Sequence, residues 1–272
     1  MTVLITGAAS GIGAATAKRL IALGHTVVGL DITPMTAGEQ FIPFTCDVTD
    51  ADAVARVSAE LASRGITLDA ILIAAGIHRM ASFVEADIET MRRVIDVNLL
   101  GAMTVNRILF PHLSRSGRIV IITSEVAPLD PLAFNGLYGV SKTALDAYAD
   151  SLRMELGLLG IKVVTVRPGA VKTPLAASSL TATERLAAET VLYKRQAGHF
   201  LGIVKRFMGK PMPADKFAPT VVRALTARHP RICYSKHRNP GLILLSALPK
   251  LTQCWVIRLL LNRRSHKMQS KG

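Results

Sequence analysis

Apolar and polar positions along the first two thirds of the chain follow two periods in turn. "TVLITG" (Thr2–Gly7) is a short β-branched and apolar run that ends in glycine, the pattern of a buried strand. "GIGAATAKRLIALGH" then sets Ile12, Ala15, Leu20 and Leu23 at helical spacing, and "TVVGLD" returns to a buried strand. Further on, "DAILIAAG" and "GIKVVTVRPG" read as buried strands, and Asp52–Arg64, Ile88–Leu113 and Leu137–Leu159 as helices. This alternation predicts a parallel sheet with helices on both faces, a three-layer α/β fold whose ligands sit at the carboxyl ends of the strands. A chain of 272 residues, half of them apolar, buries one substantial core. With no linker and no repeat before the last quarter, the pattern gives one domain over 1–235, with a lid at about 175–212, and an extension over 236–272.

The strand–turn–helix–strand unit of the first thirty residues is specific. Its turn, "TGAASGIG", carries Gly7, Gly11 and Gly13, which let the backbone pass close to a pyrophosphate whose charge sits on the N–H groups of a helix N-terminus. Thr6 and Ser10 can add hydroxyl contacts, and Ile12 opens the helix. Asp31 ends the second strand, 18 residues after Gly13. A carboxylate there accepts from the ribose hydroxyls of adenosine and repels a 2′-phosphate, so NAD is expected over NADP.

With "TGAASGIG" and "YGVSK" in one chain, the sequence resembles the single-domain short-chain dehydrogenase/reductases, which are Rossmann-type. Further stretches agree in order over about residues 2 to 230. "CDVTD" is similar to the family's adenine-contacting stretch, with Asp47 and Val48 at the matching positions. "VNLLG" brings Asn98 to the family's structural and proton-relay asparagine, and "GRIVIITSEVA" brings Ser124 to its catalytic serine. "VRPGAVKTP" is similar to the loop over the nicotinamide, with Pro168, Gly169, Val171 and Thr173. One departure stands out. The family's Asn-Ala-Gly is Ala74-Ala75-Gly76 here, which changes the local support while keeping Ala75 and Gly76 beside the cofactor.

The chemistry implied is hydride transfer. The cofactor takes the hydride, and the protein takes a proton and holds the oxygen. Tyr138 and Lys142 lie one helical turn apart. A free phenol titrates near pH 10. The Lys142 ammonium is expected to lower that value and to bond the cofactor ribose, leaving Tyr138 as acid/base. Ser124 would donate to the substrate oxygen, and Asn98 would hold a relay water. Glu125 is expected to face away from Ser124 and to have no catalytic role.

Composition changes the picture mainly at the C-terminus. From Lys194 onward, 17 Lys and Arg stand against one acid, Asp215, whereas the first 193 residues hold 16 basic and 18 acidic side chains. The run from Asn239 to Arg264 is apolar but is interrupted by Pro249, Lys250, Gln253 and Arg258. It reads as two short helices on either side of Pro249, lying in an anionic membrane surface through residues 241–267, with Trp255 inward and Arg263, Arg264 and Lys267 toward headgroups. A soluble lid or subunit contact is the competing reading, and a basic tail for solubility alone is the plainest one. Nucleic acid is not expected as a partner, because the segment lacks a basic helix with base-reaching polar residues. Three cysteines, Cys46, Cys233 and Cys254, share no metal-ligand spacing and suit a reducing compartment. The chain begins directly in a strand with no leader-like segment, so a cytoplasmic protein, peripherally membrane-bound at most, is expected.

Leu129, Leu132, Phe134 and Leu137, with the apolar and basic segment Leu175–Met212, would wall a pocket for a bulky apolar alcohol, or would simply pack a core or a dimer helix. The stretch around "LYGVSK" is most similar to hydroxysteroid and retinol dehydrogenases, which implies an NAD-dependent oxidoreductase of a steroid- or retinoid-like alcohol, in a dimer or tetramer. The alternatives are a reductase of a long-chain lipid-like ketone, of 3-oxoacyl or sphingoid type, and a non-catalytic NAD-sensing module.

Overall fold

The computed structural model describes residues 1–129, 132–207 and 211–262. Seven parallel strands form one sheet. They are β1 (Thr2–Thr6), β2 (Thr26–Asp31), β3 (Phe41–Thr45), β4 (Leu68–Ile73), β5 (Leu113–Ile122), β6 (Lys162–Pro168) and, at the far edge, β9 (Cys233–Lys236). Their order is β3-β2-β1-β4-β5-β6-β9. The chain moves outward from β1 to β3 and then restarts on the other side at β4. The crevice of a doubly wound sheet therefore opens beyond the ends of β1 and β4.

Strand side chains alternate between two cores, as a period of two requires. Leu4, Ile71, Ile119 and Ile121 pack beneath the helices α2 (Ala51–Ser63), α4 (Gly101–Leu109) and α5 (Gly136–Gly157). Val3, Ile5, Leu72 and Val120 pack on the other face, beneath α1 (Gly11–Ala22) and α8 (Ala214–Thr226). Both faces are thus dry, which explains why the strands read as continuous apolar runs.

The predicted helices are present, the one over Asp52–Arg64 with a capped start. The Asp50 carboxylate accepts from the N–H groups of Asp52 and Ala53 at the start of α2. The segment expected as one helix over Ile88–Leu113 is broken. It runs as α3 (Ile88–Ile95), a π-turn over Asp96–Leu100 and then α4, with a short 3₁₀ turn to His112. Asn98 lies in the middle of that π-turn, a feature that often serves a site. By length and composition this stretch could cross a membrane; here Ala102, Val105 and Leu109 form the inner face of α4 and are buried in the core.

After β6 the chain leaves the sheet. The short strands β7 (Val171–Lys172) and β8 (Met212–Pro213) pair with each other and bracket two helices, α6 (Pro174–Glu189) and α7 (Lys194–Phe207). A third, smaller apolar cluster joins this pair to Phe134 and Leu261. Two further helices, α9 (Pro240–Ser246) and α10 (Lys250–Asn262), flank Pro249, as the sequence indicates. Arg263, Arg264 and Lys267 lie outside the described residues.

Candidate active site

A cavity of about 1280 Å³ opens at the carboxyl ends of the strands. One side is built by the glycine turn. Gly7, Ser10, Gly11, Ile12 and Gly13 line it, and α1 begins there with no acid in its first turn and no side chain capping it. The N–H groups of that turn fit a pyrophosphate. A Cβ on Gly13 would lie 2.0 Å from the Gly7 carbonyl oxygen, so only glycine allows this turn to close on its helix. Asp31 stands at the end of β2 with its carboxylate fixed by the N–H groups of Ala9 (3.0 Å) and Thr33 (2.9 Å). Asp47 and Val48 line the same side. Arg93, from α3, joins them there and donates to the Asp47 carboxylate (3.0 Å), which Thr49 also bonds. These hydrogen bonds hold the Asp47 carboxyl below its ordinary range against the opposing effect of burial, the largest single influence. Sequence reasoning missed Arg93, because its place depends on how α3 docks.

Ala75, Gly76, Pro168, Gly169, Val171 and Thr173 line the cavity further along, beside Ser124, Tyr138 and Lys142. Thr6 and Asn98 do not line it. The Thr6 hydroxyl is buried in the sheet, where it accepts from the N–H groups of Ala74 (3.0 Å) and Ala75 (3.1 Å). It thereby ties β1 to the end of β4 at the point where the family's asparagine is missing. Asn98 sits behind the wall. Its amide donates to the Ile77 carbonyl and the Ser141 hydroxyl (both 2.9 Å), and its oxygen accepts from the Ile77 N–H (2.8 Å). Both of its amide hydrogens are thus engaged by protein, and its side chain braces α5 against the loop after β4.

Ser124, Tyr138 and Lys142 are all buried. Ser124 ends the segment after β5, and its hydroxyl accepts from the Val126 N–H (3.3 Å). Burial pushes the Tyr138 phenol up to about 12, the Glu125 charge adds to the effect, and only the neighbouring Ser124 hydroxyl opposes it. The expectation that Lys142 lowers the Tyr138 pKa is not met. The Lys142 ammonium lies 5.9 Å from the centre of the Tyr138 ring and donates to the Ile122 carbonyl (3.1 Å), while its own pKa falls to about 8 through burial. Desolvation is the largest influence on both groups.

Two other side chains belong to the site. The His78 ring lies 4.3 Å from that of Tyr138 and bonds the Asn135 amide oxygen through Nε2 (3.1 Å). Nothing in the sequence near Gly76 signals this. Glu125 is not turned away from the site: it lines the cavity beside Ser124, and its carboxylate accepts from the Asn239 N–H.

Burial holds His78 at about 4, below its ordinary 6.5, with the Asn135 bond opposing. The unfolded chain therefore takes up a proton below pH 6.5 that the folded chain refuses until about 4, and stability falls across that window. Between about pH 7 and about pH 5 this one group removes about 2 kcal/mol. Urea unfolding at the two pH values should show that loss reduced by about this amount in His78→Gln; an equal loss in both proteins would refute the assignment.

The far side of the cavity is apolar. Leu175 and Ala176 of α6, Phe200, Ile203 and Val204 of α7, and Leu242, Leu245, Val256, Ile257, Leu260 and Leu261 of α9 and α10 line it. Leu132 lines it too, whereas Phe134 is buried behind it against Leu186 and Phe200. Leu129 faces a small neighbouring pocket under α9, and Leu137 is buried away from both.

Comparison with known proteins places this arrangement. A solved short chain dehydrogenase from Burkholderia cenocepacia in complex with NADP superposes with a TM-score of 0.71 at 20% identity, over 97% of this chain and 98% of that one. A 3-ketoacyl-(acyl-carrier-protein) reductase from Brucella melitensis complexed with NADH gives 0.69 at 22% identity, over 86% and 95%. In sequence, the chain is 32% identical over 201 residues to the NADPH-dependent 1-acyldihydroxyacetone phosphate reductase of Schizosaccharomyces pombe, covering 70% of this chain and 67% of that protein. The family model for short chain dehydrogenase matches residues 1–184. The chain therefore belongs to the short-chain dehydrogenase family, oxidoreductases that exchange hydride between alcohols or ketones and NAD(P)(H).

Proposed function

We propose that this protein is an NAD-dependent oxidoreductase of a bulky apolar secondary alcohol, steroid- or retinoid-like in shape, and of the corresponding ketone. The observation that carries the reading is the shared cavity: Tyr138, Ser124 and Lys142 on its polar floor, and leucine-rich helices as its opposite wall. Thr6, placed in the sheet, supports the cofactor turn from behind.

The residues divide the work. Tyr138 takes the alcohol proton in oxidation and returns it in reduction. Ser124 donates to the substrate oxygen as charge develops there. Lys142 places a cation one turn along, and Asn98 keeps α5 in register with the loop after β4. When bound, the cofactor exchanges the hydride, and its oxidised ring adds a positive charge beside the phenol. Gly7, Gly11, Gly13 and the first turn of α1 would hold its pyrophosphate, and Asp31 its adenosine ribose. Asp31 favours NAD, because a fixed carboxylate repels a 2′-phosphate.

The S. pombe relative, NADPH-dependent by name, favours a second reading: a reductase of a lipid-like ketone. Both readings suit a water-poor substrate, and the outer face of the C-terminal helices supports delivery from a membrane. Leu251, Trp255 and Leu259 are exposed there together with Lys250 and Arg258, a combination suited to an anionic lipid surface.

The test is absorbance at 340 nm with NAD(H) and NADP(H) at equal concentration. The panel pairs hydroxysteroids, retinol and long-chain secondary alcohols or ketones with small polyols, with and without anionic vesicles. Turnover of bulky alcohols with NAD, raised by vesicles, supports the first reading. NADPH-only reduction of acyl ketones supports the second, and turnover of polyols alone overturns both.

A further inference from the structure

We infer that Glu125 is a positioning residue that latches the C-terminal helix pair, α9 and α10, down as the roof of the substrate cavity. The roof itself is geometry; its effect on substrate rests on the function proposed above.

The root of the roof is pinned to the strand ends that carry the site. Glu125 follows Ser124 directly, and its N–H donates to the Pro168 carbonyl (2.9 Å). Its carboxylate accepts from the N–H of Asn239 (2.5 Å), the residue that caps α9. Asn239 in turn accepts from the Gly241 N–H (2.9 Å) through its side chain. The chain reaches Asn239 by a sharp bend, with His237 at φ +61°. The bend is pressed against the loop after β6: the Gly169 N–H donates to the Lys236 carbonyl (3.0 Å), and a Cβ on Gly169 would lie 1.7 Å from the His237 oxygen. A carboxylate on a backbone N–H is a strong bond, and this one is partly shielded from water.

Beyond the root, the pair is a unit. The Gln253 amide donates to the Leu248 carbonyl (2.7 Å), joining α10 to the end of α9. The far end of α10 is held by α7, where Arg195 donates to the Asn262 carbonyl (2.7 Å) and Gln196 to its side-chain oxygen (2.8 Å). The roof is therefore anchored at two ends. Of these hydrogen-bonded anchors, the Glu125 one lies on the segment that carries Ser124, so it couples roof position to the reacting centre.

The experiment compares Glu125→Ala, Glu125→Gln, Asn239→Pro and Asn239→Ala in the full chain. Glutamine keeps an oxygen acceptor. Proline removes the N–H at a residue whose φ of −77° already suits it, and alanine at 239 removes the side-chain cap but keeps that N–H. The first readout is acrylamide quenching of a tryptophan placed on the cavity side of α9 (Leu245→Trp) in a Trp255→Phe background, because Trp255, the single tryptophan, is already exposed on α10. The second is KM against kcat for a bulky and a small alcohol.

Glu125→Ala and Asn239→Pro should each increase quenching and raise KM for the bulky alcohol about tenfold, and in Asn239→Pro kcat should be little changed. Glu125→Gln and Asn239→Ala should keep the parent's quenching and KM. Parental quenching in both Glu125→Ala and Asn239→Pro overturns the latch, as does Asn239→Ala behaving like Asn239→Pro. If the parent turns over nothing on the panel, the proposed function fails, and the quenching comparison still decides the latch. If Glu125→Ala does not fold, Asn239→Pro against Asn239→Ala decides it alone.

Discussion

Replacing Tyr138 with phenylalanine should lower kcat about a thousandfold while cofactor affinity stays close to the parent's. The substitution removes one oxygen from a ring that is otherwise held by packing. That ring is buried, packed at a tilt against His78 and carried by α5, whose other contacts do not involve the phenol. The lost group is the one that exchanges a proton with substrate, so the loss should fall on kcat.

The raised phenol pKa adds a directional signature. At about 12 the phenol is protonated at neutral pH, the form needed to donate to a ketone. Oxidation needs the phenolate, so its rate should climb with pH, while reduction should hold level until the alkaline range. The positive charge of the oxidised cofactor moves the oxidative limb downward without removing the asymmetry. Stopped-flow NADH formation and consumption across pH would show both limbs. Retention of more than a tenth of parental kcat in Tyr138→Phe, at any pH, would remove Tyr138 from the reaction.

The same residue shows what could be read from the chain. Tyr138 and Lys142 on one helix, Ser124 at a strand end and the glycine turn of α1 are local patterns, and the fold brings them to one cavity. What the sequence did not carry is how elements meet. His78 is two residues past Gly76 and reaches Tyr138 only because the loop after β4 folds over α5. Arg93 meets Asp47 across 46 residues. An extended segment would turn Glu125 away from Ser124, but the chain turns after β5, and its carboxylate meets Asn239. The Tyr138 pKa depends on the same kind of information: spacing places the Lys142 charge nearby, but only the packed structure shows how much water is excluded around the phenol. The edge strand β3, with Pro43 inside it, and the helix α6 carried no strong period of their own. The two helices around Pro249 were legible, and the inward aim of Leu242, Leu245 and Ile257 toward the cavity was not.

The glycine turn can be tested with a single methyl group. In Gly13→Ala the new Cβ would sit 2.0 Å from the Gly7 oxygen and 2.8 Å from its carbon, both backbone atoms that cannot swing aside like a flexible side chain. The turn must open or α1 must shift. Opening moves the first-turn N–H groups away from the position where they converge on a pyrophosphate. Shifting α1 disturbs Ala17 and Leu20, which pack on the core beneath it. Either way cofactor affinity should fall by about a hundredfold or more, and stability by about 1–3 kcal/mol, the usual range for overpacking. Gly157 provides the control: it ends α5, and a Cβ there meets nothing within 4 Å. Gly157→Ala should leave affinity unchanged and stability equal or slightly higher, because alanine restricts the unfolded chain. NADH fluorescence titration and urea unfolding of the three proteins separate the two effects. Parental affinity in Gly13→Ala would mean that the turn absorbs a methyl group without moving, and the dinucleotide would then have to be held by something other than this backbone.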